Sequence, residues 1–152
     1  MILLLCLFGW AAPNAADETY TLTLVFQRMH CEECKREAEA AVKRLPGFAG
    51  VTFTETSAVV QIAEKSPVPA VQGLPKDMGY RASHLTIHGT VSMSGDKATL
   101  VAKGSGATLQ LGGDKVGELK KKMGGKNRFQ VTGTVTGKSV TLESFQPADW
   151  KD

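Results

Sequence analysis

The residues best equipped for chemistry are two thiols three positions apart, in Met29-His30-Cys31-Glu32-Glu33-Cys34. They stand where a strand pattern gives way to a helical one, so one sulfur falls in a loop and the other in a first helical turn. From there both can face one soft ion. Thiolate is the ligand form, and the positive end of the helix dipole, with Lys35 and Arg36 beside it, favours the deprotonated sulfur. Glu32 and Glu33 act against this, repelling thiolate charge while tolerating a bound cation. Softness selects copper(I), zinc or other thiophilic ions over magnesium or calcium. Two ligands are half of the set a structural zinc site requires. The pair therefore suits copper(I) first, with mercury(II) comparable and zinc a further candidate. A disulfide or a thiol–disulfide redox couple is the other chemistry open to a Cys-x-x-Cys in an oxidising compartment. By spacing alone, metal and redox stand level. The carboxylates between the cysteines count for metal, because strong oxidants avoid groups that disfavour the thiolate driving exchange.

Other constellations are weaker. His84 and His88 are four apart on extended chain, about 13 Å, and cannot share an ion. Lys120-Lys121-Lys122 with Lys126 and Arg128 could meet phosphate but reads as a solvated helix face. Single-strand binding on a barrel surface uses aromatic stacking, and residues 85–128 hold no Phe, Tyr or Trp. Gly112-Gly113-Asp114-Lys115 lacks the spacing of a phosphate-cradling Walker loop. No Ser/His/Asp set or carboxylate pair stands out, so neither an enzyme nor a nucleic-acid partner is expected.

The elements that must position the cysteines follow from periodicity. In a chain of 152 residues with a formal charge of +3, composition is globular and charge names no partner. Residues 1–16 carry no acidic or basic side chain, and an apolar run through Trp10 precedes Ala11-Ala12-Pro13-Asn14-Ala15-Ala16. That is the pattern of a cleaved secretory signal, which predicts a periplasmic or secreted protein with no stable membrane insertion after cleavage. Cleavage after Ala15 or Ala16 removes Cys6 and leaves Cys31 and Cys34 alone. Thr19 to Gln27 alternates as a half-buried strand, and Glu33 to Leu45 is an amphipathic helix with Cys34, Ala38, Ala41, Val42 and Leu45 on one stripe. Pro46-Gly47 stops it. Val51–Thr56 and Ala58–Ala63 form a hairpin. Between Pro67 and Met78 helical spacing competes with Pro67, Pro69, Gly73 and Pro75, so a helix there is short or broken. Tyr80–Ile87 returns to strand. This order is the split βαβ layout of a ferredoxin-like βαββαβ domain over residues 17–86. Residues 87–152 read as short strands between glycine turns. One helix interrupts them, with Asp114 as N-cap, Val116, Leu119 and Met123 as its buried stripe and Gly124-Gly125 as its stop. Gly89-Thr90-Val91 and Gly133-Thr134-Val135 open two hairpins of one design. Three strands, a helix and two strands is the order of an OB-like β-barrel, so the expected class is α+β.

Met29-His30-Cys31-Glu32-Glu33-Cys34, Lys43-Arg44-Leu45-Pro46-Gly47 and Gly79-Tyr80 together resemble the heavy-metal-associated (HMA) domain over residues 19–85. That domain is the ferredoxin-like module of copper chaperones, of the periplasmic mercury-binding protein and of metal-transporting ATPases. The resemblance implies that Cys31 and Cys34 are the metal ligands, that Met29 turns inward to brace their loop, and that Tyr80 approaches from a distant loop. His30 occupies a position the family varies and is a third-ligand candidate. The departure lies at Pro67 to Met78, where the family has a regular second helix, and it bears on the placement of Tyr80. The function so implied is that of an exported soft-metal carrier, a metallochaperone passing its ion by ligand exchange to a transporter or acceptor protein. The alternatives are a thiol–disulfide redox protein, or a barrel that docks a protein or glycan while the metal domain senses.

Overall fold

The computed structural model of the chain describes residues 18–29, 31–68, 74 and 76–150. The expected signal peptide with Cys6, and His30, lie outside the described residues. Strands dominate, in the order β1 (Thr19–Phe26), α1 (Glu32–Lys43), β2 (Phe48–Phe53), β3 (Ser57–Ala63), β4 (Tyr80–Ser94), β5 (Lys97–Ala102), β6 (Thr108–Gly112), α2 (Lys115–Met123), β7 (Arg128–Thr136) and β8 (Ser139–Pro147).

The first half is built around β1. Its apolar residues Tyr20, Leu22, Leu24 and Phe26 are all buried and its intervening residues are half-exposed, as strand alternation requires. β1 pairs antiparallel with β3 on one edge and β4 on the other, so that Leu22 lies opposite both Val60 and Leu85. α1 buries Ala38 and Val42, with Leu45 just beyond it, and packs toward β2. Its amphipathic stripe fixes that face. The β2–β3 turn is closed by Thr54, whose Oγ1 accepts the backbone N–H of Thr56 at 3.3 Å and of Ser57 at 2.9 Å. β2 begins three residues before the expected start at Val51, drawn in by Phe48, which packs on the core.

The expected ferredoxin-like βαββαβ domain followed by a separate barrel does not form. Between β3 and β4 the helical structure among the described residues is a single 3₁₀ turn, Lys76–Met78. Pro67 stands at the start of this crossover, and proline fixes φ and removes the N–H that a helix interior uses. The last strand of the first half is also the first strand of the second. β4 was expected to end near Ile87 but runs unbroken for 15 residues to Ser94. Its residues 80–86 pair with β1, residues 84–90 with β7, and residues 89–94 with β5. The expected boundary at residue 86/87 therefore falls inside a strand bonded on both edges.

Beyond it the sheet closes into a five-stranded barrel, ordered β4-β5-β6-β8-β7 and shut by the β4–β7 pairing. β6 and β8 run parallel while the other pairs are antiparallel. This closed barrel is consistent with the expected OB-like second half. Two glycines admit the closure. A Cβ on Gly89 would lie 2.6 Å from the Val101 carbonyl oxygen, and one on Gly133 would lie 2.2 Å from that of Thr141. These are the glycines of the two echoing segments. α2 packs Leu119, fully buried, toward β6 and β8 and stops at Gly124 and Gly125, both with positive φ. Asp114 precedes α2 but its side chain makes no capping hydrogen bond, contrary to expectation. One contiguous apolar core joins Tyr20 of β1 to Phe129 of β7 and Leu142 of β8.

Candidate functional site

Cys31 is the N-cap of α1, in extended conformation, and its Sγ accepts the backbone N–H of Cys34 at 3.0 Å. The two cysteines are disulfide-bonded, with Cα atoms 5.2 Å apart. Both are exposed, so either sulfur is open to a reductant or a partner thiol. The local fold follows from the sequence: Cys31 supplies a side-chain acceptor where helices favour Ser, Thr or Asp, and acidic Glu32 and Glu33 fill the first turn, where the dipole is positive. Lys35 pairs with Glu32 at 3.4 Å, an exposed contact of little energetic weight.

Met29 is buried, 6% exposed, and its backbone N–H donates to the Glu55 carbonyl at 3.3 Å. Phe26 N–H donates to Thr56 at 2.7 Å. The cysteine loop is thus tied at two points to the β2–β3 turn. Tyr80 opens β4, half-buried, opposite Phe26 at a register shift. Beside Cys34 runs an open cleft of about 410 Å³, lined by Cys34, Glu37, Ala38, Ala40, Ala41 and Arg44 from the α1 side and by Asp77 and Met78 from the 3₁₀ turn. Met78 was not singled out as a site residue from sequence. Its place directly before Gly79-Tyr80 was the available signal. Among the described residues no cluster of three or more His, Cys, Asp and Glu side chains is arranged to hold an ion.

A second polar cluster lies where β3, β4 and β5 converge. Glu64 is buried, and burial raises its carboxyl above the ordinary range. Lys103 contacts Glu18 and lies 3.3 Å from Glu64, while His88 Nδ1 lies 3.5 Å from the other Glu64 oxygen. Burial lowers the His88 pKa, which favours the neutral ring. Trp150 covers the group: its ring meets His88 edge-on at 5.9 Å and lies 5.7 Å from the Lys103 ammonium and 5.2 Å from the Arg128 guanidinium. Arg128 also donates to the Trp150 carbonyl. His84 lies elsewhere, 3.2 Å from Glu143, so the two histidines serve different partners. Lys120 reaches Asp96 and the Gly95 carbonyl, and Lys121 and Lys122 are exposed, which fits a solvated helix face.

No described helix is long and apolar enough to cross a membrane. Comparison of the chain with family models, with curated proteins and with solved structures finds no match.

Proposed function

We propose that the chain is an exported carrier of a soft metal ion, copper(I) first among candidates, held by Cys31 and Cys34 in their reduced form. One observation carries this reading: two sulfurs sit side by side on the exposed N-terminus of α1, with Cys34 lining an open cleft. Soft sulfur ligands select a soft cation. An exposed pair leaves room for an incoming thiolate, so the ion passes to an acceptor through an intermediate that shares sulfurs of both proteins. Buried Met29 and the two backbone bonds to the β2–β3 turn hold the loop while ligands exchange. The chemistry asked of the chain is binding and release, with no bond to substrate made or broken by a general acid or base.

The bonded state of the sulfurs favours a second reading, a dithiol–disulfide couple that takes two electrons and two protons from a partner dithiol. The two readings are linked, because the disulfide has no thiolate to offer a metal. Titration of the reduced chain with copper(I) against a chelator of known affinity separates them. One ion per chain, lost in Cys31→Ser, is the expected result. No binding by the reduced chain, with a two-electron midpoint near that of the glutathione pool, selects the redox reading.

A further inference from the structure

A copper(I) ion held by two thiolates still has room for a third donor, and the cleft beside Cys34 contains one. Met78 is the soft side chain that shares that cleft with a cysteine. The other described methionines stand elsewhere, with Met29 buried beneath the loop, Met93 on the barrel half of β4 and Met123 at the end of α2. Met78 ends the 3₁₀ turn, is half-buried, and both packs against the core and lines the open cleft. The remaining cleft wall is Ala38, Ala40 and Ala41 with Glu37, Arg44 and Asp77, none of them a soft ligand.

We propose that the thioether of Met78 is the third ligand of the soft ion held by Cys31 and Cys34, and that it sets the preference of the site for copper(I) over zinc. The inference rests on the metal reading above and adds to it the residue that discriminates between ions. A thioether is soft and uncharged. It adds a sulfur donor that copper(I) accepts, while zinc gains little from a thioether and favours oxygen donors such as the Glu37 and Asp77 carboxylates of the same cleft. A thioether also takes up no proton in the working range, so the third contact persists where the thiols begin to protonate.

The test uses the full reduced chain and Met78→Leu, a substitution that conserves size and apolar character. Copper(I) is added to one equivalent, and the number of sulfur neighbours is read by X-ray absorption, with the Met methyl resonances followed by NMR. Three sulfurs in the wild type, two in Met78→Leu, a copper-dependent shift of the Met78 methyl alone, and at least roughly tenfold weaker copper(I) binding with zinc unchanged are the expected results. Equal affinity and equal sulfur count in the two proteins overturn the role of Met78 while leaving the cysteine pair in place. Failure of the wild type to bind copper(I) at all overturns the metal reading itself. If Met78→Leu has lost its fold by circular dichroism, the wild-type methyl shifts and sulfur count decide alone: a Met78 signal that does not move, with two sulfurs at copper, overturns the proposal.

Discussion

The carboxylate of Glu64 and the ammonium of Lys103 meet at 3.3 Å, with the Glu64 side chain 7% exposed and that of Lys103 19%. Glu64 follows β3 and Lys103 follows β5, so the pair spans from the first half of the chain to the barrel. Removing the cation leaves a buried carboxylate with His88 as its remaining neighbour. Lys103→Met is expected to destabilise the fold by roughly 2 kcal/mol at neutral pH. Addition of Glu64→Gln should recover part of that loss in urea unfolding. Additive losses in the double variant would show that the two side chains do not act together.

The same cluster predicts opposite pH slopes from its two shifted groups. Glu64 has a folded pKa above 4.5, so the native carboxyl holds its proton more tightly than the unfolded one. Its contribution is fully present below 4.5 and is lost as pH rises through the folded pKa. His88 has a folded pKa below 6.5, so the unfolded state protonates first and stability falls as pH drops below 6.5. Glu64→Gln should flatten the decline above 4.5, and His88→Gln should flatten the loss below 6.5. Unfolding free energies from pH 4 to 8 for the three proteins check both signs.

Gly133 is a position in the barrel with no space for a side chain. A methyl there would lie 2.2 Å from the Thr141 carbonyl oxygen and 2.7 Å from a Val140 methyl, so backbone must move. Gly133→Ala is expected to cost roughly 3 kcal/mol. Gly50→Ala is the control, since a Cβ at Gly50 meets nothing within 4 Å. Thermal melting should show a fall near 10 °C for Gly133→Ala, taking about 2–4 °C per kcal/mol at this size, and little change for Gly50→Ala.

Glu32 and Glu33 flank the reduced cysteines within the first turn of α1. Their charges disfavour thiolate, so Glu32→Gln with Glu33→Gln should alkylate faster at a given pH, its rate profile displaced toward lower pH. Iodoacetamide kinetics on the reduced, metal-free proteins measure this directly. Superimposed profiles would leave the two carboxylates as surface residues.

Much of the local structure was legible. The alternation of Tyr20, Leu22, Leu24 and Phe26 and the stripe of Ala38, Val42 and Leu45 state their buried faces, and those residues are buried. The run from Thr90 to Ser94 was harder, because strand periodicity looks the same whether a strand ends a first sheet or goes on to start a barrel. Only pairing partners decide that, and β4 acquires three of them, β1 and β7 from distant parts of the chain and β5 through the hairpin that follows it. The crossover before β4 carried a helical spacing in Val71, Leu74 and Met78, and its described end is a 3₁₀ turn at Lys76–Met78. At the candidate site the cysteines were visible in the sequence, while Met78 and the Glu64, Lys103, His88 and Trp150 group were not. Glu64, Lys103, His88 and Trp150 are brought together by tertiary pairing alone and leave no mark in spacing, whereas the mark of Met78 was its place before Gly79-Tyr80.

The continuity of β4 bears on how the cysteine tip would meet another molecule. A strand of 15 residues is about 50 Å of extended backbone, and it passes from Tyr80, near the cysteine loop, into the barrel with no linker at which the chain could hinge. Whatever grips the barrel therefore also sets the bearing of Cys31 and Cys34, as a handle aims the point of a tool. Anchoring at one end would restrict the directions from which an acceptor can reach the sulfurs at the other, and a flexible insert between Ile87 and His88 would abolish that restriction even if every side chain at the tip were kept.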